Sequence, residues 1–469
     1  MIYYDTYFLN SKDALRVSLQ NNKVLAPNGQ VKAPQICYYD GKKLKNAPKN
    51  CINVKQENFI KYFIQTKNRI PTNLNDDNHK LKNRLVKSTR IIHEKLELKV
   101  KKLELKVKSN KPNFKDKKLR IFVFGCRETI LIKYLVQNII DAASKLNYEV
   151  LNHKQTNSMQ GCQKHHYLKA LYKFNPHITI NINHLNNTYL NKKVFNFVWY
   201  QDPVSELLNN KRIHLRKRDF LFHITKGIGK LINKKGSIST YQPFCINTTD
   251  YKLRKNIIRE EKVVFIGSSY LNDFKALKHP YKQKLFEVLL KKYLNNGVVS
   301  YKERKSLGVK YNIDSHVTMG IIINYIERDI SLLYISKILT NYTIEVYGKG
   351  WEKYTELNKY YKGILKYGED ISKVYNSAKY SLSLGGYVLQ QRTLESAASG
   401  CIPIVIDSRK NKGSNNNIDF EKSLLFIKRI YDYAKVIQEK NSLDLNYIVE
   451  LNTYESFINK ISKLIKDNS

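Results

Sequence analysis

From Lys118 onward the chain alternates short apolar runs with stretches whose apolar residues recur every three or four positions. Leu119-Arg-Ile-Phe-Val-Phe-Gly125 predicts a β-strand ending in glycine, and Ile130 to Leu146 predicts an amphipathic helix. Glu149-Val-Leu151, a helix over Lys164 to Phe174, and strands at His177–Asn183, Val194–Tyr200 and Asp219–Thr225 follow. Five strands separated by helix or loop predict a parallel sheet. Tyr241-Gln-Pro-Phe-Cys245 then breaks the pattern, because proline constrains the residue before it to an extended conformation, and a hinge is expected here.

A second α/β series opens at Lys262-Val-Val-Phe-Ile-Gly267. Helices are expected at Lys282–Asn295 and Met319–Leu339, then a strand Tyr342–Tyr347 that stops at Gly348. A helix at Ile371–Ala378, a strand Tyr380–Leu384, a helix Gln391–Ser399 and a strand Ile402–Asp407 complete the central part. Lys422 to Lys440 supplies a further strand and helix, and Thr453–Lys466 a last helix with one basic and one apolar face. The expected fold is α/β, with two Rossmann-like doubly wound domains facing a cleft and an additional N-terminal region. The expected boundaries are 1–117, 118–245, 246–450 and 451–469.

Residues 1–117 lack sustained periodicity until Leu96-Glu-Leu-Lys-Val-Lys-Lys and its near-copy from Leu103. Seven-residue recurrence suits a coiled-coil helix, but two copies fall short of the usual three or four heptads. The alternation within each copy equally suits a strand. A solvated linker helix is the preferred reading.

Composition adds bounds. A chain of 469 residues exceeds one ordinary core, and 42% hydrophobic with 12% aromatic residues argues against wholesale disorder. The balance of 82 Lys+Arg against 40 Asp+Glu, a formal +42, favours anionic partners such as lipid or nucleic acid. An AT-rich coding background accounts for part of the lysine; the basic residues are spread out, and no recognition-helix or RNA-binding signature accompanies them. Six cysteines without C-x-x-C spacing argue against a zinc site or disulfide framework and fit a reducing compartment. The N-terminus lacks a secretory pattern and no run approaches a membrane span, so a cytoplasmic protein, or one peripheral to the inner membrane face, is expected.

The most informative stretch is Tyr380 to Val405. A strand ends at Gly385-Gly386, where absent side chains let the backbone approach a ligand. A helix beginning at Gln391 offers free N–H groups to phosphate oxygens, and Glu395, one turn inside, could accept hydrogen bonds from two vicinal ribose hydroxyls. Ala397, Ala398 and Gly400 suit tight packing, and Gly400-Cys401-Ile402-Pro403 reads as a helix stop before a buried strand. An ordinary αβ unit with a helix-cap carboxylate explains each feature singly; the combination favours a nucleotide site.

Arg392-Thr-Leu-Glu-Ser-Ala-Ala-Ser-Gly-Cys-Ile-Pro403 resembles the R-x-x-E-x-x-A-x-G-x-x-P block of GT-B glycosyltransferases. The ordered set Phe265-Ile-Gly267, Ile326-Glu-Arg328, Ile344-Glu-Val-Tyr-Gly-Lys-Gly-Trp351, Tyr361-Lys-Gly363 and Arg392–Pro403 is similar to the spore-maturation-protein-like (CgeB-like) transferases of that superfamily. Phe197-Val-Trp-Tyr-Gln-Asp-Pro203 is a weaker echo, and the resemblance covers about residues 118 to 450. It implies that Glu395 holds the donor ribose, with Arg392 and Gly385-Gly386 by the diphosphate. Gly348, Lys349 and Gly350 would sit beside the base or phosphate, and Gly267, Ser268 and Ser269 would line the cleft. Relatives place a basic residue after the first strand of this domain; here stands Ser-Ser-Tyr, which leaves Lys275 and Arg328 as candidate cations.

No D-x-D motif for a divalent metal stands out, and Asp76-Asp77 lies in the polar N-terminal region, so a metal-independent reaction is expected, with no cofactor beyond the nucleotide sugar. Asp202, after an apolar strand and before Pro203, leads as acceptor base, with a turn or cap role nearly as good a reading. His153 is the best placed of the histidines, ahead of His165 and His166. The acceptor, whether glycan, lipid-linked or protein, stays open. The competing readings are a non-catalytic scaffold of the same fold in a surface-glycan, polysaccharide or flagellar-modification pathway, and a basic nucleic-acid-binding protein.

Overall fold

The computed structural model describes residues 6–9, 12–15, 24–25, 31–32, 35–38, 44, 51–55, 58, 79–125, 130–154, 163–209, 212–313, 318–385, 388–409, 420–438 and 443–468. Five short N-terminal strands come first: β1 (Thr6–Leu9), β2 (Val24–Leu25), β3 (Val31–Lys32), β4 (Gln35–Tyr38) and β5 (Cys51–Asn53). They form a three-stranded sheet in the order β1-β4-β5 and a β2-β3 pair. By contact density the chain then divides into two compact units, Met1–Val198 with His214–Phe220, and Trp199–Ile213 with Leu221–Ser469.

The heptad repeat is helical. Helix α1 (His79–Ser109) runs for 31 residues, and it is not a solvated linker. Ile92, Leu96, Val100 and Val107 are buried with Phe122, Tyr167, Leu168 and Leu171. The last three of these belong to helix α3 (Gln163–Phe174) or face it, and Asn110 Nδ2 donates to Tyr172 O at 2.9 Å just past the end of α1. Recurrence every seven residues repeats the Leu96/Val100 stripe at Leu103/Val107, and that stripe found a neighbour.

The first six-stranded sheet uses β6 (Arg120–Gly125), β7 (Glu149–Lys154), β8 (Ile178–Ile182), β9 (Phe195–Tyr200), β10 (Asp219–His223) and β11 (Thr240–Tyr241). It is parallel, in the order β11-β10-β9-β8-β6-β7. Every residue of β8 and β9 is buried, the mark of a strand covered on both faces. Helix α2 (Ile130–Lys145) follows β6. Asn147, Asn175 and Asn183 take positive φ at the ends of α2, α3 and β8, a conformation that asparagine tolerates better than most residues.

The second sheet uses β12 (Glu260–Ile266), β13 (Thr343–Tyr347), β14 (Tyr361–Gly363), β15 (Ala378–Ser383), β16 (Ile402–Ile406) and β17 (Leu425–Ile427). Its order, β14-β13-β12-β15-β16-β17, is the doubly wound 3-2-1-4-5-6 arrangement. The helix expected over Met319–Leu339 is interrupted: α4 (Thr318–Tyr325) and α5 (Ser331–Ile338) flank a π-helical turn at Ile326–Ile330. Helix α6 (Gln391–Ala398) links β15 to β16 and ends at Gly400, φ +76°, the left-handed stop expected there.

The last helix, α7 (Tyr454–Asp467), buries its apolar face. Phe457 lies 5.0 Å from the Trp199 ring and meets Phe222 edge-on at 5.3 Å, at the carboxyl-terminal ends of β9 and β10. Lys460 Nζ donates to Tyr241 O at 3.0 Å. Its apolar face is thus met by β9 and β10 of the first sheet.

Candidate functional site

In a 3-2-1-4-5-6 sheet the connections leave in opposite directions from the first and fourth strands, so a crevice opens beyond their carboxyl ends. Those strands are β12 and β15, and the turns after them carry the residues expected at a donor site: Gly267 and Ser268 after β12, Gly385 after β15.

The turn after β12 is locked against the turn after β13. Gly267 N donates to Tyr347 O, Ser269 N to Lys349 O, and Trp351 Nε1 to Gly267 O. Gly348 has φ +130°, and a Cβ there would stand 2.2 Å from Gly267 O, so only glycine fits. Lys349 engages through its backbone carbonyl while its side chain is exposed.

The π turn places three ionisable residues against this frame. Arg328 Nη1 donates to Ser268 O at 3.0 Å, and its guanidinium lies 4.5 Å from the Tyr270 ring centroid. The turn Ser268-Ser269-Tyr270 has no cation of its own; Arg328 supplies one from a neighbouring element. Asp329 is wholly buried and accepts from Ser269 Oγ (2.5 Å), Tyr270 N (3.0 Å) and Tyr354 Oη (2.7 Å). Burial holds its carboxyl above the ordinary range despite these donors. Glu327, also buried, has its Oε2 3.8 Å from where a Cβ on Gly385 would stand. Thus one widened helical turn presents an arginine to the β12 turn and a glutamate to the β15 turn. Sequence reading found Arg328 and missed Glu327 and Asp329. The apolar spacing of Met319–Leu339 predicts one continuous helix and so gives no sign of the π turn within it, though π turns recur at functional sites. Lys275 is exposed on a short helix at Leu271–Ala276.

Beyond β15, Gly385 takes φ +72°, and Gln390 Nε2 donates to its carbonyl. Gly386 lies outside the described residues, as do Asp76 and Asp77. Helix α6 has no side-chain cap: its N-cap residue Gln390 is extended and makes no capping bond. Gln391, at the first helical position, is 7% exposed, and neither atom of its amide has a hydrogen-bond partner. Glu395 is fully buried; Oε2 pairs with the half-buried Arg392, while Oε1 has no hydrogen-bond partner. Tyr251 and Tyr367 crowd the carboxylate, and burial, then the Glu395 charge, pushes both hydroxyls far up, so they stay neutral. Buried polar atoms left unpaired beside an uncapped helix are costly, and an ordered water or a bound group can meet them.

The remaining candidates lie apart from this frame in the chain. Asp202 is exposed, two residues beyond β9, and Val204 N donates to its backbone carbonyl at 2.9 Å. His153 does not follow its strand, as expected, but belongs to it, because β7 extends to Lys154. Its ring stacks 5.8 Å from Phe122 and 6.0 Å from Phe124, with Tyr167 edge-on at 5.5 Å. That surrounding is an aromatic cluster. His165 lies in α3, its pKa lowered to about 4 by burial and by the charges of His166, Lys169 and Lys99. Among the described residues no helix is long and apolar enough to cross a membrane.

No family model matches the chain, and no curated protein matches it. Solved structures that it resembles include AviGT4, a glycosyltransferase involved in avilamycin A biosynthesis, at 10% identity and TM-score 0.44, covering 74% of this chain and 96% of that one. SnogD, a glycosyltransferase from Streptomyces nogalater, gives 8% identity and TM-score 0.36 over 74% of this chain and all of that one. An alpha-glucosyltransferase in complex with UDP gives 12% identity and TM-score 0.36 over 74% and 99%. Likeness this remote assigns no activity and no site residue to this chain.

Proposed function

We propose that this protein is a GT-B glycosyltransferase, of the spore-maturation-protein-like kind, moving a sugar from a nucleotide-activated donor to an acceptor hydroxyl without a metal ion. The observation that carries the reading is the β12/β15 switch point, where an uncapped helix begins beside unpaired buried amide and carboxylate atoms. The ordered motifs of the sequence converge on that point.

In this reading Glu395 accepts the ribose hydroxyls through Oε1, the atom that lacks a partner. Arg392, the backbone at Gly385 and the α6 N–H groups receive the diphosphate. Arg328 adds the cation that the β12 turn lacks, and Gly348 with Lys349 borders the base or phosphate. The bond from the anomeric carbon to the diphosphate oxygen breaks, and its electron pair leaves with the diphosphate. The helix N-terminus and the two arginines stabilise that growing charge. The acceptor oxygen bonds to the anomeric carbon and loses its proton to a base, for which Asp202 and His153 are the proposals.

The test uses the full chain with a panel of UDP-, GDP-, ADP- and dTDP-sugars, following nucleoside-diphosphate release, and melting curves with each free nucleotide. One nucleotide should raise the melting temperature, and Glu395→Gln should weaken its binding by about tenfold or more, the scale of a lost charge-assisted hydrogen bond. No thermal response to any nucleotide or nucleotide sugar would overturn the proposal.

A further inference from the structure

Helix α1 carries two apolar stripes, and packing against α3 uses only one. Ile92, Leu96, Val100 and Val107 are buried. Ile91, Leu98 and Leu105 are 44%, 58% and 67% exposed. Their seven-residue spacing aligns them along one exposed face. Lysines border that face at helical-neighbour positions: Lys95 four residues after Ile91, Lys101 and Lys102 three and four after Leu98, all exposed. Glu94 also reaches this face and is paired with Arg90 at 3.0 Å.

We propose that this face of α1, an exposed Ile91-Leu98-Leu105 stripe flanked by Lys95, Lys101 and Lys102, seats the protein on a bilayer surface rich in anionic headgroups. An apolar stripe with a lysine border is the pattern of an interfacial helix, whose leucines enter the headgroup boundary while its lysines meet phosphates. A second copy of the chain fits poorly. One apolar position per heptad makes no two-position seam, the other seam position falls on Glu94 or Lys95 and on Lys101 or Lys102, and two lysine-lined faces repel. Nucleic acid would use the lysines and leave the leucines idle. The +42 balance acts in the same direction at longer range. Helix α7, the other basic amphipathic helix, has its apolar face occupied by the first sheet.

This inference is independent of the donor site. Its test is flotation of the full chain with vesicles of phosphatidylcholine alone and with about a third phosphatidylglycerol. Wild-type protein is expected to float with the anionic vesicles only, and to be released at about 0.5 M salt. L98Q/L105Q and K95Q/K102Q should each lower partitioning by roughly tenfold, with melting curves unchanged because all four side chains are exposed. Three results would overturn it: no binding to anionic vesicles, L98Q/L105Q floating like wild type, or a wild-type dimer that L98Q/L105Q dissociates without any vesicle binding. Binding to duplex DNA that survives L98Q/L105Q, with no flotation, would assign the lysines to nucleic acid instead.

Discussion

The two parallel sheets are built from the same strand–helix grammar, yet a polar cluster in the first and one in the second are completed differently. In the first sheet Asn196 accepts from Thr179 Oγ1 and Asn181 Nδ2, both at 2.7 Å, and donates to Leu185 O at 2.9 Å. Asn186 Nδ2 donates to Asn181 Oδ1, and Asn187 Nδ2 to Asp219 Oδ2, whose carboxylate also grips Arg216. That network closes on itself and needs no ligand. At the switch point of the second sheet the Gln391 amide and Glu395 Oε1 stay open. Both arrangements bury polar atoms; only the open one has a use for a partner, because an unmet buried group costs about 1–3 kcal/mol until something meets it. The contrast is one of these two clusters, since Asn152 Oδ1 in β7 of the first sheet is also buried without a hydrogen-bond partner.

The contrast can be broken first at its glycines. Gly348→Ala drives a methyl into Gly267 O, so it should cost about 3 kcal/mol and abolish nucleotide binding, read by urea melts and thermal shift. Gly236, with φ +76° just before β11, has open space around it, and Gly236→Ala should cost about 1 kcal/mol with binding intact. Equal losses at the two positions would mean that the β12–β13 turns are not specially tight.

The sheets should also separate by pH. His223 is buried, its Nδ1 2.8 Å from Ser239 Oγ, and burial followed by the nearby Lys460 lowers its pKa to about 4. A folded value below the ordinary 6.5 means that the unfolded chain takes the proton first. Stability from this group is therefore full above pH 6.5 and lost as pH falls toward 4, by about 2–3 kcal/mol. Asp329 has the opposite sign: its raised folded value favours the fold at low pH, and that contribution fades as pH rises through it. Hydrogen exchange corrected for intrinsic rates should show β10 amides losing protection between pH 6.5 and 4.5, with β12 and β13 changing less; His223→Gln should flatten the β10 response.

The smallest effect tests a single contact. Arg328→Gln removes the bond to Ser268 O and the guanidinium over Tyr270 while leaving Asp329 in place. Nucleotide affinity should fall about fivefold, the scale of one hydrogen bond, and the melting temperature of the free protein should change little. An unchanged affinity would remove Arg328 from the site.

Much of this fold was readable in one dimension. Continuous apolar runs at Val194–Tyr200 and Lys262–Gly267 became buried parallel strands, since a strand covered on both faces needs no polar alternation. The edge strands β11 and β14 were not readable as strands, being two and three residues long and paired on one side only. The helix at Tyr301–Lys310 has little apolar periodicity to predict it, although Ser300 and Glu303 form a capping box whose pattern is visible in the sequence. At the site, Glu395, Arg392, Gly348 and Gly267 were legible because each belongs to a local strand–turn–helix pattern. Glu327 and Asp329 were not, because their importance arises from partners about sixty residues away in sequence, such as Ser269 and Gly385.

By itself the sequence determined the α/β class, the succession of strands and helices, and which glycines end strands, since these depend on periodicity and on backbone freedom within a few residues. Tertiary structure decided the rest. It set the strand order that makes β12 and β15 neighbours, the pairing of Arg392 with a buried Glu395, the reach of Arg328 to a turn without its own cation, and which stripe of α1 is covered. Those outcomes depend on which surfaces meet, and surfaces distant in the chain meet only once the whole core has formed.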